Sequence, residues 1–169
     1  MATSKDKFIQ IIEEYQGVIN GLCAVYYPAV PDQQDARQDI ILQLWKSLPS
    51  FRGESKISTW IYKVGLNTIL SKLKKGKRKP REESINLSHE NMSAPLNHAD
   101  DDLQLLYQVI QSLKDLDKAV VLLFLEGYKN KEIASMLELT PSNISTRMNR
   151  IRKELKSKLS FYRYEYKLS

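Results

Sequence analysis

Apolar residues recur at steps of three and four along most of the chain, the spacing that places them on one face of an α-helix. From Phe8 to Tyr26 this spacing predicts one continuous helix. Thr3 or Ser4 can cap its start, because a side-chain hydroxyl accepts a hydrogen bond from the first helical turn. Pro28 and Pro31 end it, since proline cannot continue the hydrogen-bond ladder of a helix.

The same period continues in the rest of the chain. Further helices are predicted at about 32–48, 57–75, 102–113, 117–126, 130–137 and 141–159. We find no segment with the two-residue alternation of a half-buried β-strand. The sequence therefore predicts an all-α fold, built as two small helical domains.

Charge falls into three zones, although the net charge of the 169-residue chain is only +6. Seven of the ten residues from 72 to 81 are basic, as are eight residues from 147 onward. Between them, residues 82–102 carry six acids, no Lys or Arg, and no hydrophobic period, which is typical of a linker. We expect one domain at 1–81, a flexible acidic linker at 82–102 and a second domain at 103–169. The basic ends suit a polyanionic partner.

The cysteine, histidine and aspartate residues of the chain are not placed where they could form a catalytic site. Cys23 falls on the apolar stripe of the first helix, and His89 and His98 fall in the linker, so no cysteine–histidine pair is available. Asp35 and Asp39 lie one helical turn apart, but no third ligand completes a metal site. We therefore expect a protein that is not an enzyme and that needs no cofactor or metal.

Apolar runs in this chain fall far short of the roughly 20 residues that cross a bilayer. The first ten residues contain no apolar signal core. A single thiol also suits a reducing compartment. These features predict a cytoplasmic protein without membrane insertion.

The helix predicted at 32–48 has two different faces. Its core stripe consists of Ala36, Ile40, Leu44 and Leu48. The opposite side mixes acids, an amide and a leucine, with Trp45 at the margin: Asp35, Gln38, Asp39, Leu42 and Lys46. One interpretation is a solvated surface with a stray leucine. The other is a strip that docks on another protein, because exposed apolar residues ringed by polar ones form such sites.

A helix-turn-helix is predicted in the second half. Residues 131–137 form a short amphipathic helix, Glu138 begins the turn, and Thr140 caps the next helix with Pro141 in first position. Glu138 stands where such turns favour glycine, a strain of about 1 kcal/mol if its backbone is left-handed. The outer face of the second helix can contact phosphates and base edges, unless it is an ordinary basic surface. Its side chains are Ser142, Asn143, Ser145, Thr146, Arg147, Asn149, Arg150 and Lys153.

Taken together, these motifs resemble those of a bacterial sigma factor of the extracytoplasmic-function (ECF, group IV) type, the minimal two-domain class of the sigma-70 family. The resemblance rests on residues 35–45, Phe51, 58–61, Asn67, Leu113, 131–134 and 144–150. The order and spacing of these segments is specific, whereas no single segment is. The resemblance implies a region 2 helical bundle in the first domain and a region 4 helix-turn-helix in the second.

This resemblance implies a function, which is to bind core RNA polymerase and direct it to specific promoters. The helix at 32–48 matches the one that binds the clamp helices of the largest polymerase subunit, through Asp35, Gln38, Asp39, Leu42 and Trp45. The flap region of polymerase is a second expected contact. An anti-sigma factor is a further partner that the resemblance suggests.

Promoter DNA is the other partner that the resemblance implies. A loop and helix would capture an unpaired base of the minus-ten element, through Phe51, Arg52, Lys56 and Asn67. The basic end of the helix would hold phosphates, through Lys63, Lys72, Lys74, Lys75, Lys77 and Arg78. Trp60 is expected in the core rather than under a base. The minus-thirty-five element would be read by Ser142, Asn143, Ser145, Thr146, Arg147 and Arg150.

One position departs from the family pattern, and one rival function is open. Lys129 stands where the family usually has a capping serine, which leaves Asn130 as a substitute cap. A freestanding helix-turn-helix regulator that binds DNA as a dimer is the rival function. The strip from Asp35 to Trp45 argues against this rival, because such a regulator has no use for it.

Overall fold

The computed structural model describes residues 3–78 and 98–168, with side chains described at 3–78 and 103–161. The helices are α1 (Ser4–Glu14), α2 (Gln16–Tyr26), α3 (Val30–Ser47), α4 (Ile57–Arg78), α5 (His98–Gln111), α6 (Asp115–Leu125), α7 (Asn130–Leu137) and α8 (Pro141–Leu168), with a 3-10 turn at Leu48–Ser50. The described residues contain no strand. The predicted all-α fold with two helical units is confirmed.

The first helix of the second half begins a few residues before its predicted start at about 102. Helix α5 begins at His98, so the last five residues of the expected linker are helical. Residues 82–97 of that linker lie outside the described residues. At the C-terminal side, α8 continues to Leu168, beyond the predicted end near 159.

The single helix predicted from Phe8 to Tyr26 is wrong, because the chain forms two helices that meet at Tyr15. The backbone leaves helical geometry there, with φ −103° and ψ 15°. Thr3, not Ser4, caps α1: its Oγ1 accepts from the Asp6 N–H at 3.2 Å, and its own N–H donates to the Asp6 carboxylate at 2.8 Å. This reciprocal pair is a capping box, which satisfies N–H groups left open by the first turn.

Pro31 has a different role from the one predicted. It lies in the first turn of α3, where a missing N–H loses no hydrogen bond. Only Pro28 therefore separates α2 from α3 in the way expected. At the other end, α3 stops at Ser47 and the chain enters the 3-10 turn that contains Pro49.

Helices α2, α3 and α4 pack together as the core of the first half. Ile19 of α2, Ile40 of α3 and Ile61 of α4 are fully buried. Gly65 lets α4 approach α2 closely, since a Cβ at this position would lie 2.8 Å from Leu22 Cδ1. The apolar stripes predicted for these helices are the surfaces that meet.

In the second half, α8 packs against α5, α6 and α7. Leu123, Ile133, Ile144 and Ile151 are fully buried there. The stripe predicted on α8 therefore faces inward from Ile144 to Ile151, which leaves the opposite side of its first turns exposed. This arrangement presents the polar side chains of α8 to solvent.

The two halves also contact each other. The Tyr26 hydroxyl donates to the Asp115 carbonyl oxygen at 2.7 Å, and a hydrogen bond of 2.9 Å joins the hydroxyls of Thr59 and Tyr128. The ammonium of Lys118, at the start of α6, lies 5.3 Å from the centre of the Tyr26 ring. Burial is the main reason that the pKa of Lys118 is lowered. Side chains from both halves thus form one continuous core.

Candidate functional site

The outer strip of α3 is exposed along its length. Asp35, Gln38, Leu42 and Trp45 are exposed, and Asp39 is half-buried. Leu42 and Trp45 leave 48% and 42% of their surface uncovered and lie one turn apart among exposed polar side chains. The Phe8 ring of α1 packs edge-on against Trp45 with ring centres 5.0 Å apart, so the indole is held in place while remaining accessible.

A lysine of α4 contacts this strip. The Lys72 ammonium donates to the Asp39 carboxylate at 2.6 Å, and this hydrogen bond raises the pKa of Lys72. A groove of about 820 Å³ lies between α3 and α4, and Asp39, Asn67 and Lys72 are among its lining residues. Asp39, a predicted polymerase-binding residue, is thus hydrogen-bonded to Lys72 and shares a groove with Asn67. Lys72 and Asn67 are both predicted DNA-binding residues.

The loop between α3 and α4 holds the residues predicted to capture an unpaired base. Phe51 is half-buried and stacks on Trp60, with ring centres 4.8 Å apart and planes inclined by 27°. Trp60 is 8% exposed, as its predicted place in the core requires. Arg52 and Lys56 are exposed. Arg52 and Lys56 of the loop are thus exposed, and the nearby Phe51 ring is fixed by its stacking on Trp60.

Helix α4 continues this surface toward its basic end. Lys63 and Asn67 are exposed one turn apart, on the side of α4 that faces away from the core. The basic residues at the end of α4 are also exposed: Lys72, Lys74, Lys75, Lys77 and Arg78. Two of them have acidic partners, since Lys72 donates to Asp39 and Lys77 donates to Asp115, each at 2.6 Å. The run is therefore not wholly solvated, because ion pairs hold its first lysine and one near its end.

The helix-turn-helix forms at the predicted place. Glu138 ends α7 in the left-handed conformation, with φ 57° and ψ 41°, so the strain anticipated for this turn is present. Thr140 caps α8, since its Oγ1 accepts from the Asn143 N–H at 3.1 Å. The expectation that Asn130 caps α7 is wrong: Asn130 is its first helical residue, and its side chain donates to the Ser145 hydroxyl at 3.1 Å. The N-cap is Lys129, whose N–H donates to the Glu132 carboxylate.

The predicted reading residues of α8 share one surface. Ser142, Asn143, Ser145, Thr146 and Arg150 are exposed, and Arg147 is half-buried. All of these except Ser145 line a groove of about 340 Å³ together with Thr140. The size and polar lining of this groove suit contacts to the edge of a DNA duplex.

Asp117 is the residue of this region that the sequence pattern did not single out. It is 1% exposed and accepts hydrogen bonds from both Arg147 and Arg150. The sequence carries no clear signal for it, because Asp117 and Lys118 directly precede the apolar run Ala119–Leu125 of α6 and do not interrupt it.

Within the part of the chain that the structure describes, no group of three or more His, Cys, Asp or Glu side chains could hold a metal ion. Cys23 is buried, and burial raises the pKa of its thiol to about 11. A thiol of this kind is a poor nucleophile at neutral pH. Among the described helices, none is long and apolar enough to cross a bilayer.

Comparison with known families gives two matches. The model for sigma-70 region 2 matches residues 11–79, and the model for sigma-70 region 4 matches residues 103–155. Together these segments cover more than half of the chain. They contain α3, α4, α7 and the first turns of α8, where the exposed surfaces described above lie.

Curated relatives match over nearly the whole chain. The ECF RNA polymerase sigma-E factor of Haemophilus influenzae is 27% identical over 168 residues, covering 92% of this chain and 88% of the relative. The sigma-E factor of Escherichia coli K12 is 28% identical over 165 residues, covering 90% of this chain and 86% of the relative.

Solved structures that share the fold include two complexes. One is the sigma factor RpoE in complex with the anti-sigma factor NepR from Bartonella quintana, with a TM-score of 0.69, 19% identity, and coverage of 91% of this chain and 97% of that one. The other is CnrH in complex with the cytosolic domain of CnrY, with a TM-score of 0.64, 18% identity, and coverage of 93% and 90%. At these identities the likeness establishes the fold.

Proposed function

The chain belongs to the sigma-70 family, as a member of the extracytoplasmic-function type, and we propose that it binds core RNA polymerase through α3 and promoter DNA through α4 and α8. It is a sigma factor that directs polymerase to specific promoters for transcription initiation. The family implies a regulator without catalytic activity of its own. Its place of action is the cytoplasm, where polymerase and promoter DNA meet.

The exposed strip of α3 is the observation that carries this proposal. It combines the carboxylates of Asp35 and Asp39 with the apolar surfaces of Leu42 and Trp45 on one side of a helix. Apolar anchors in a polar surround are typical of protein interfaces, where tryptophan is a frequent hot spot. The clamp helices of the largest polymerase subunit would cover Leu42 and Trp45, and the acids would pair with their basic residues.

The loop before α4 supports single-strand capture. Bases in a duplex must be extruded before an enzyme or factor can enclose them, and the lost stacking energy of a few kcal/mol has to be recovered. Arg52 and Lys56 can hold the backbone of the extruded strand, while Phe51 is held by Trp60 at the base of the loop. Asn67 supplies an amide on the adjacent face of α4, and the basic end from Lys72 to Arg78 would hold phosphates.

The groove on α8 supports recognition of the upstream, minus-thirty-five element. Two guanidinium groups, an amide and three hydroxyls line it near the N-terminal end of the helix. Arginine and asparagine make two-pronged contacts with guanine and adenine in the major groove. The helix-turn-helix geometry places such residues against base edges while the preceding helix crosses the backbone.

Loss of polymerase binding in a surface variant tests the proposal. The double variant Asp39→Ala with Leu42→Ala should bind core polymerase roughly thirtyfold more weakly or worse, since the loss of a single hot-spot residue already costs about 2 kcal/mol or more. Binding is measured by co-elution with core enzyme and by titration of a labelled chain. Circular dichroism must show unchanged helix content, as expected for exposed side chains.

A control on the same helix separates docking from general effects on α3. Val30→Ala removes one exposed apolar side chain at the first residue of α3, more than one turn before the strip begins. This variant should bind polymerase like the unmodified chain. Normal binding by a folded Asp39/Leu42 variant would refute the docking surface.

Regulation by an anti-sigma factor is part of the proposal. Of two solved structures that share the fold, one is a sigma factor in complex with the anti-sigma factor NepR, and the other is CnrH in complex with the cytosolic domain of CnrY. A binding partner that covers the α3 strip would compete with polymerase. Co-purification of the chain from its native cells, with and without excess core enzyme, would identify such a partner.

The rival function, a freestanding helix-turn-helix regulator, is not favoured. It would use only the second half of the chain, yet the region 2 match covers the first half as well. Such a regulator would bind its DNA without polymerase. The co-elution experiment therefore also separates the two functions.

A further inference from the structure

A buried carboxylate lies directly behind the proposed reading surface of α8. Asp117, in the first turn of α6, is 1% exposed. Its Oδ1 accepts from Arg147 Nη1 at 2.8 Å and from Arg150 Nη2 at 2.9 Å, and its Oδ2 accepts from Arg150 Nη2 at 2.7 Å. One acid thus contacts two arginines that stand three residues apart on α8.

Charge balance explains why this acid can be buried. A lone buried carboxylate is strongly unfavourable, and it is tolerated when it is paired and hydrogen-bonded. Two guanidinium groups supply that pairing here. They also leave the cluster with one surplus positive charge, which suits a surface that meets DNA.

The hydrogen bonds orient the arginines as well as neutralising the acid. Arg147 is held from two directions, because its Nε also donates to Asn143 Oδ1 at 2.7 Å. A guanidinium group has five N–H donors, so both arginines keep donors beyond those bound to Asp117. Both also line the groove of about 340 Å³ on α8. Each guanidinium is therefore anchored on one side and borders the groove on another.

Resting on the proposed function of α8, we infer that Asp117 is a positioning residue that sets the base preference of the upstream contact. Two-pronged recognition of a base requires a guanidinium in one orientation, whereas attraction to phosphates does not. With Asp117 in place, Arg147 and Arg150 are presented in one geometry. Without it, they are free to reach neighbouring phosphates of any sequence.

This inference predicts opposite changes in two measured quantities. In Asp117→Asn, the preference of the polymerase-bound chain for its best upstream element over single-base variants should fall about tenfold, the scale of one two-pronged contact. Binding to duplex DNA of unrelated sequence should strengthen by about two- to fivefold, because the surplus positive charge grows by one. A purely structural role would weaken both kinds of binding together.

The experiment uses the full chain bound to core polymerase and a set of duplexes that differ at each upstream position. Glu138→Gln is the charge-matched control, since it removes one exposed acid from the helix-turn-helix turn. It should strengthen binding to unrelated DNA slightly and leave the base preference unchanged. Thermal melting of each variant reports whether it is folded.

A second variant decides the matter if Asp117→Asn does not fold. Asp117→Glu keeps the charge pair but moves the carboxylate by one methylene, so it should keep the fold and lower the base preference by about two- to fivefold. A folded variant at Asp117 with the unmodified base preference would overturn the inference. The absence of any upstream preference in the unmodified chain would instead overturn the proposed function of α8.

Discussion

The Lys72 ammonium lies 2.6 Å from the Asp39 carboxylate and joins the proposed polymerase-binding strip of α3 to the first lysine of the basic end of α4. Both side chains are about half exposed. Polymerase that takes Asp39 as a contact would release Lys72 for a DNA phosphate. The two proposed surfaces would therefore be coupled through one ion pair.

This coupling predicts that Asp39→Asn strengthens binding of the chain alone to a single-stranded minus-ten oligonucleotide. We expect a gain of about two- to fivefold at low salt, because an exposed ion pair contributes roughly 0.2–1 kcal/mol. Fluorescence anisotropy measures the affinity. Asp35→Asn makes the same charge change without the contact and should gain less. When Lys72→Ala is also present, Asp39→Asn and Asp35→Asn should change the affinity by the same factor. Equal gains for the two single variants would contradict the coupling.

Two glycines of α4 should respond to alanine in opposite directions. A Cβ at Gly65 would lie 2.8 Å from the fully buried Leu22. We therefore expect Gly65→Ala to lower the free energy of unfolding by about 1 kcal/mol, although alanine has a higher helix propensity than glycine. Gly76 has open space around it, and Gly76→Ala should raise stability by about 0.5–1 kcal/mol. Urea titration of both variants tests this, and a stabilised Gly65→Ala would show that the α2–α4 contact is looser than described.

The left-handed turn at Glu138 predicts a stabilising substitution. Glu138→Gly removes the contact between Cβ and the backbone that disfavours φ 57°, so we expect a gain of about 1 kcal/mol and a melting temperature higher by about 2–4 °C. Ser135→Gly, within α7, should instead lower the melting temperature, since glycine is unfavourable inside a helix. A decrease for Glu138→Gly would mean that the carboxylate stabilises the turn by more than the strain costs.

The buried thiol of Cys23 predicts slow reaction with disulfide reagents. Burial raises its pKa from near 9 to about 11, so at pH 8 the thiolate is roughly a hundredfold scarcer in the folded chain than in the unfolded one. Absorbance at 412 nm after addition of an aromatic disulfide measures the rate, with the urea-unfolded chain as control. The contribution of this thiol to stability is complete below pH 9 and is lost as pH rises from 9 to about 11, because only the unfolded state is then deprotonated. Similar rates in both states would contradict this burial.

The helices and the helix-turn-helix could be predicted from the sequence because they depend on local interactions. The three- and four-residue spacing of apolar side chains identified α3, α4 and α7 to within a few residues. The cap at Thr140 and the strain at Glu138 follow from single residue types at fixed positions. The break at Tyr15 was missed, since the apolar spacing continues across it without interruption.

Only the tertiary structure decided which distant side chains meet. Asp117 contacts Arg147 across 30 residues, and Lys72 contacts Asp39 across 33. Neither contact follows from helical period, because periodicity states which face of a helix is apolar and not which residue of another helix lies opposite. The sequence by itself determined the all-α class, most of the helices and the strips that they expose. The packing of those helices decided how the charges on the strips are paired, because pairing depends on distances set by the whole core.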